Sequence, residues 1–228
     1  MNPTRTFSII IPTLNEAAWI ETTVEWVKKF APAGEIIIVD GGSTDDTVPL
    51  AHRAGVRVVE SGRGRGIQRN SGAKQASGDL LLFLHADTLL PVGGLELVSN
   101  LFDDQAVEIG TFRLAFDENS WVLRFYAAFT RLDSVFTRFG DQCIVVRRTF
   151  FEELGGFPDW PLFEDVHLLR LARRRTRVIS FPATVTTSAR RFTRKGMIRT
   201  QLINGWLMMQ YLCGVSPAKL AAEYAVEI

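Results

Sequence analysis

The sequence predicts an α/β protein with a mainly parallel central sheet, and three observations support this fold class. Short apolar runs rich in isoleucine, valine and leucine recur four times within the first 90 residues. A segment that reads as a helix follows each of the first three runs, and glycine, proline or aspartate marks most of the boundaries. Strands and helices that alternate in this way build βαβ units, whose strands run parallel.

In the first half, each element follows from its residues. The apolar run 7–11 predicts a buried strand that Pro12 stops, and apolar residues near helical spacing predict a helix at 18–30. Asp45 and Asp46 favour the first turn of a helix at 44–54, because acidic side chains stabilise a helix N-terminus. The remaining predictions are strands at 35–39, 56–59 and 80–84, and a helix at 68–76 that ends at Ser77-Gly78.

The second half is less regular, and it is expected to add an irregular lobe to the same domain. Thr149 and Glu152 fit a capping box, with Gly155-Gly156 as the stop, so a short helix is expected between them. The other predictions are strands at 108–116, 142–146 and 178–181, and helices at 119–138, 161–175 and 195–212.

Composition argues against several classes of protein. The net charge of the 228 residues is +1, which argues against a strongly basic nucleic-acid-binding protein. No apolar run reaches the roughly 18 residues of a membrane-spanning helix, and the N-terminus lacks the apolar segment of a signal peptide. Cys143 and Cys213 both lie in apolar stretches, so we expect buried free thiols and a cytoplasmic location.

Acidic side chains, glycines and arginines follow the four predicted strands of the first half. Ligands bind beyond the carboxyl ends of the strands in open parallel sheets, so these segments are expected to meet at one edge. Asp87 stands out, because burying an unpaired carboxylate at the end of an apolar strand would be expensive. Such residues suit a nucleoside diphosphate with a divalent metal ion. The four segments are PTLNE at 12–16, DGGSTD at 40–45, GRGRG at 62–66 and HAD at 85–87.

Five motifs in a fixed order carry a resemblance to a known family. They are IIIPTLNE, IIVDGGSTDDT, GRGRGIQRNSGAKQASGD, LLFLHADT, and GGFP followed by FED. Over residues 7–175 the chain resembles the family 2 glycosyltransferases of the GT-A fold. HADT and TTSARR are similar to small bacterial members linked to arsenosugar biosynthesis, a weaker match. The resemblance implies one GT-A domain, 1–228, with a nucleotide-sugar-binding half at 1–90, an acceptor and catalytic half at 91–190 and a helical tail at 191–228.

The resemblance implies roles for the residues that follow the strands. Asn15 and Glu16 stand where the family contacts the nucleoside. Asp40 matches the residue that hydrogen-bonds the base. The Asp-X-Asp motif of the family stands here as His85-Ala86-Asp87, so Asp87 would hold Mg²⁺ or Mn²⁺, and His85 would ligate the metal or hydrogen-bond a phosphate. Arg190 and Arg191 would close over the diphosphate. The implied donor-binding residues are Pro12, Asn15, Glu16, Asp40, Gly42, Arg63, Arg65, Gln68, Asn70, His85, Ala86, Arg190 and Arg191.

Glu164 and Asp165 match the catalytic acidic pair of the family. Asp165 takes the position of the general base that removes the acceptor proton, and the attack that follows would invert the anomeric centre. The chain departs from the family pattern just beyond this pair. His167 stands where an acidic residue is common, and Arg170 comes one place early, which affects acceptor contacts more than the base.

Each of these residues also has a structural alternative. Asn15 and Glu16 fit a helix cap and first turn, and the DGGSTD segment fits a turn that binds nothing. The further alternatives are a solvated loop for GRGRG, a hydrogen-bonded structural role for His85, a turn cap for Asp87, a helix start for Glu164-Asp165 and a solvated face for Arg190-Arg191. The joint arrangement favours the functional interpretation.

The sequence therefore predicts a metal-dependent, inverting glycosyltransferase that uses a nucleotide sugar, with UDP preferred over GDP and an unassigned acceptor hydroxyl. A nucleotide-sugar-binding protein without catalysis is the first alternative, because only one carboxylate of Asp-X-Asp remains. A sugar-1-phosphate nucleotidyltransferase is the remote alternative. That class is expected to have a glycine-rich loop with basic residues straight after the first strand, whereas PTLNE occupies this place here. The amphipathic pattern of the predicted helix 195–212, which contains Trp206, indicates core packing or a homodimer interface. Peripheral membrane contact is the minor alternative.

Overall fold

The computed structural model describes residues 5–226 except 33, 119, 122, 124–126, 128–141 and 191–196. The strands in this part of the chain are β1 (Phe7–Thr13), β2 (Gly34–Asp40), β3 (Arg57–Glu60), β4 (Leu80–Phe83), β5 (Thr88–Leu89), β6 (Ile109–Phe116), β7 (Ile144–Arg147) and β8 (Ile179–Thr187). The helices are α1 (Ile20–Phe30), α2 (Thr47–Arg53), α3 (Arg65–Gln75), α4 (Gly94–Leu101), α5 (Arg148–Glu153), α6 (Glu164–Arg173), α7 (Met197–Leu212) and α8 (Pro217–Val226).

The described strands form one eight-stranded sheet in the order β3-β2-β1-β4-β7-β6-β8-β5. β1 pairs in parallel with β2 and β4, and β2 with β3. β7 runs antiparallel to β4 and β6, β8 is parallel to β6, and β5 is antiparallel to β8. Six of these strands therefore point the same way, which confirms the predicted mainly parallel sheet.

Strands β1, β2 and β4 are largely apolar and buried because helices cover both faces of the sheet. In β1, Ile9 and Ile11 pack into one core cluster, and Ile10 packs into a second cluster. This alternation is expected, since successive side chains of a strand point to opposite faces. The two clusters hold β1 in the centre of the sheet, so its carboxyl end opens onto the edge where the predicted site lies.

Several elements differ from their sequence predictions for identifiable reasons. α5 exists, but its N-cap is Arg147 and no side chain caps it, so the capping box at Thr149 is wrong. The strand predicted at 178–181 continues to Thr187 despite Pro182, because the pairing with β6 shifts register there and Pro182 is exposed. β5, α4 and α8 had no sequence prediction. Most of the helix predicted at 119–138 lies outside the described residues.

The C-terminal helices pack on α6 and leave part of α7 uncovered. Leu207, Met208 and Tyr211 of α7 form a cluster with Val166 and Leu220. The helix that contains Trp206 therefore packs in the core as predicted, but through its other side, since Trp206 itself is 66% exposed. Both cysteines are free, but Cys213 is exposed and only Cys143 is buried as expected. Within the described residues, no helix is long and apolar enough to span a membrane.

Candidate active site

The turn after β2 is organised by the carboxylate of Asp40. Asp40 is 4% exposed. It accepts hydrogen bonds from the backbone N–H groups of Gly42 (2.9 Å) and Ser43 (2.8 Å) and from the hydroxyls of Ser43 (2.5 Å) and Thr13 (3.2 Å). These four donors engage a group that offers about four acceptor positions. Asp40 thus shapes the turn, and its contact with a base stays a prediction.

Asn15 joins the loops that follow β1 and β2. Its φ is +56°, in the left-handed region that asparagine tolerates. Its N–H donates to Ser43 Oγ (2.9 Å), and its side-chain oxygen accepts from the N–H of Thr44 (2.8 Å). α1 begins later, at Ile20, without a side-chain cap. Asn15 therefore connects two loops of the site and does not cap the helix.

Glu16, Asp87 and Arg190 meet at the same edge of the sheet. One guanidinium nitrogen of Arg190 donates to both carboxylate oxygens of Glu16, at 2.8 and 2.6 Å. The same nitrogen lies 3.2 Å from Asp87 Oδ2. The guanidinium also lies over the Trp19 ring, 5.7 Å from its centroid. Arg190 therefore bridges two of the predicted donor-site acids, whereas Arg191 lies outside the described residues.

Asp87 and Glu16 are suited to a divalent cation that binds together with its substrate. Among the described residues, no group of three His, Cys, Asp or Glu side chains forms a metal site. Mg²⁺ is usually held by one or two carboxylates, waters and substrate phosphates rather than by a complete protein cage. Two carboxylates beside one cationic nitrogen provide the negative charge that such a site needs. The donor set thus fits a metal whose coordination a diphosphate completes.

Arg69 is the main feature of the site that the sequence interpretation missed. Its side chain is 1% exposed and forms an ion pair with Glu164, at 3.1 Å. A second guanidinium nitrogen lies 3.0 Å from His85 Nε2, and the group sits over the Phe157 ring. Its Nε is buried without a hydrogen-bond partner among the described residues. Arg69 therefore connects the HAD segment to the acidic pair.

Gln68 and Asn70, predicted to bind the donor, use their side chains to hold backbone. The Gln68 amide donates to the carbonyls of Thr13 (2.7 Å) and Val39 (2.8 Å) at the ends of β1 and β2. The Asn70 amide donates to the Phe157 carbonyl (2.8 Å) and accepts from the Phe157 N–H (3.0 Å). These contacts position the loops around the site. Donor contact by either residue stays a prediction.

The GRGRG segment is a loop that leads into α3. Gly64 has φ +140°, a conformation that favours glycine, and α3 begins at Arg65. A Cβ on Gly66 would lie 2.3 Å from the carbonyl oxygen of Pro158. Gly66 therefore lets α3 approach the loop that precedes α6. Arg63 and Arg65 are exposed beside this approach.

Glu164 and Asp165 begin α6 with different environments. Glu164 is 3% exposed and points to Arg69, whereas Asp165 is half-buried and accepts from the N–H of Val166 (2.8 Å). Burial raises the pKa of Glu164, nearby Asp165 raises it further, and Arg69 opposes both effects. Since a buried cation holds Glu164, Asp165 is the better candidate of the two to accept a proton from a bound molecule.

The remaining predicted residues occupy less specific positions. Pro12 lies near the end of β1 opposite Val39, and Gly42 is exposed in the turn after β2. Ala86 is 4% exposed, and its carbonyl accepts from the Thr23 hydroxyl at 2.6 Å. His167 packs edge-on against Trp160, and burial followed by Arg170 lowers its pKa. Both effects favour the neutral form of His167.

Comparison with known proteins identifies the family. A family model described as "Glycosyl transferase family 2" matches residues 8–175. The chain belongs to glycosyl transferase family 2. A family relative is the glucosyl-3-phosphoglycerate synthase of Mycobacterium tuberculosis, 34% identical over 38% of this chain and 30% of that protein. Another is a PGL/p-HBAD biosynthesis glycosyltransferase of Mycobacterium bovis, 38% identical over 37% of this chain and 36% of that protein. These matches span only about a third of each curated relative.

Solved structures of similar proteins confirm the GT-A fold. The mannosyltransferase PcManGT from Pyrobaculum calidifontis, in complex with GDP-Man and Mn²⁺, has a TM-score of 0.70 at 20% identity, over 97% of this chain and 70% of that one. S. aureus TarS 1–349 with UDP-GlcNAc has a TM-score of 0.65 at 21% identity, over 80% of this chain and 58% of that one. The family model over residues 8–175 confirms the resemblance of the motifs to the family.

We predict opposite effects of alanine at two helical glycines. Gly66→Ala should lower the free energy of unfolding by about 1–3 kcal/mol, because the new methyl group clashes with backbone that cannot rotate away. Gly205→Ala in α7 meets no atom within 4 Å and should raise stability by up to about 1 kcal/mol, through helix propensity. Urea unfolding of both variants measures this, and equal effects would contradict the close approach at Gly66.

A double-mutant cycle tests the pair formed by Arg69 and Glu164. Arg69→Met and Glu164→Gln should each lower the free energy of unfolding by about 3–5 kcal/mol, because each leaves a buried partner uncompensated. The double variant should lose less than the sum of the two, since neither charge remains. Urea unfolding of the four proteins gives the coupling, and strictly additive losses would show that the two groups do not interact.

Proposed function

We propose that the chain transfers a sugar from a nucleoside diphosphate sugar to an acceptor hydroxyl, with inversion at the anomeric carbon. The proposal includes UDP in preference to GDP, and Mg²⁺ or Mn²⁺ held at Asp87. Family membership supports the reaction class, and the solved relatives include PcManGT in complex with GDP-Man and Mn²⁺ and TarS in complex with UDP-GlcNAc. The acceptor is left unassigned.

One observation carries the proposal: a buried cation connects the two acidic parts of the site. His85, two residues before Asp87, contacts Arg69, and Arg69 pairs with Glu164, the neighbour of Asp165. Arg69 therefore fixes the segment that carries Asp87, the proposed metal ligand, relative to the segment that carries Asp165, the proposed base. A fixed geometry between reacting groups is what an in-line displacement requires.

In the proposed reaction, the Asp165 carboxylate takes the proton of the acceptor hydroxyl. The acceptor oxygen bonds to the anomeric carbon as the bond from that carbon to the diphosphate breaks, and the nucleoside diphosphate leaves. A divalent ion, when bound, neutralises negative charge on that leaving group. Arg190, Arg63 and Arg65 supply further positive charge near the same edge, where a guanidinium binds phosphate oxygens in a bidentate manner.

Asp165→Asn tests the chemical step. General-base catalysis typically contributes about 10²–10⁴-fold, so the turnover number should fall by about that factor while donor affinity stays unchanged. Asp159→Asn, at an exposed residue of the loop that precedes α6, is the matched control and should keep full activity. Transfer or donor hydrolysis with UDP-GlcNAc and GDP-Man, together with calorimetric donor binding, measures both quantities.

Three outcomes would each contradict a part of the proposal. Full turnover in Asp165→Asn would remove Asp165 as the base. Tight donor binding by the wild type without transfer to any acceptor or to water would favour the nucleotide-sugar-binding protein. Comparable affinity for the UDP and GDP donors would contradict the preference for UDP.

Asp87→Ala tests the metal site. The variant should lose at least about tenfold in affinity for UDP in the presence of Mn²⁺, because a charged partner contributes roughly 1.5–3 kcal/mol. Glu60→Ala removes an exposed acid at the end of β3 on the same edge and should bind normally. Calorimetric titration of UDP with and without Mn²⁺ separates the two. A Mn²⁺-dependent gain that survives in Asp87→Ala would place the metal elsewhere.

A further inference from the structure

α7 carries an apolar face that the rest of the described chain leaves open. Leu202 is 70% exposed, Trp206 66% and Met209 52%. Their spacing of i, i+4 and i+7 places them on one side of the helix, with exposed Arg199 three residues before Leu202. We define Arg199, Leu202, Trp206 and Met209 as the outer face of α7. An exposed apolar stripe of this kind marks an interaction surface.

The inner side of the same helix is already occupied. Leu207, Met208 and Tyr211 pack in a cluster with Val166 of α6 and Leu220 of α8. α7 is therefore apolar on two sides, and only one of them contributes to the core. Since the inner side suffices to attach α7 to the domain, the outer face is not needed for that attachment.

The charge of the C-terminal part of the chain indicates the partner that the outer face fits. The residues from 166 to 226 contain eleven lysines and arginines and one acid, Glu223, within a chain of net charge +1. The rest of the chain therefore carries a net charge of −9. Arg170 is exposed one turn after Val166, on the side of α6 that meets α7. Glu223 of α8 accepts a hydrogen bond from Gln210 of α7 at 3.3 Å, so one acid lies beside the basic residues. An apolar face in a region of net positive charge complements an anionic surface.

We propose that the outer face of α7 docks the protein on an anionic lipid bilayer, with the helix lying in the plane of the interface. Trp206 and Leu202 would enter the headgroup region, where tryptophan is favoured, and Arg199 would contact lipid phosphates. A second copy of the chain fits this face less well. A two-fold contact repeats the same patch on both sides, so two surfaces of net positive charge would meet.

Vesicle binding of the full chain tests the proposal. Wild type should float with vesicles of phosphatidylcholine mixed with phosphatidylglycerol, more weakly at high salt, and should not bind phosphatidylcholine alone. Leu202→Ser/Trp206→Ser should lower the partition coefficient by about tenfold or more, because two apolar side chains are lost from the interface. Arg199→Gln should lower it by about fivefold at low salt. All these residues are exposed, so the thermal midpoint should not change by much.

Val92→Ser is the matched control, because Val92 is 68% exposed but lies before α4, outside the outer face of α7. This variant should bind vesicles as the wild type does. Equal binding by wild type and the double variant, or no binding to anionic vesicles, would overturn the proposal. A dimer in sedimentation equilibrium that the double variant dissociates, without vesicle binding, would make the face a subunit interface and would also overturn it.

Discussion

The arrangement of the site depends on one buried ion pair, between Arg69 of α3 and Glu164 of α6. The two side chains are 1% and 5% exposed. Removing such charges from water costs several kcal/mol per ion, so the pair persists only with good geometry and further contacts. His85 and the Phe157 ring provide those contacts for Arg69. As a result, three segments that are far apart in the chain acquire fixed positions around one cation.

Polar side chains that bind backbone complete this scaffold. Gln68 holds the ends of β1 and β2, Asn70 holds the loop before α6, and Asp40 holds its own turn. Buried backbone groups must find partners, and loops that leave a sheet have few within the strands. These side chains therefore supply partners where the ladder ends. The loops that carry exposed Arg63 and Gly42, and the start of α3 at exposed Arg65, are thereby fixed on a rigid base.

The sequence predicted the sheet better than the roles of the polar residues. β1, β2 and β4 are apolar on both faces, so their runs and the residues after them were visible in the sequence. Arg69 was missed because arginine is rarely fully buried without a partner, and its partner lies 95 residues away. Gln68 and Asn70 occur in a family motif, but the sequence does not show that their amides bind backbone. The predicted strand ended before Pro182, because proline usually interrupts a central strand. In the structure β8 continues, because a register shift in its pairing with β6 accommodates Pro182.

The pairing of Arg190 with Asp87 has a consequence for the proposed metal. Arg190 is shared between the carboxylates of Glu16 and Asp87, through one nitrogen at 2.6 and 3.2 Å. Asp87 would release Arg190 on holding a divalent ion, because the metal ion and the guanidinium are both positive and repel each other at one carboxylate. The diphosphate brings new negative charge at the same time, and a guanidinium binds phosphate oxygens well. Arg190 would then exchange an acid of the chain for the substrate, so that its guanidinium has an anionic partner in both states.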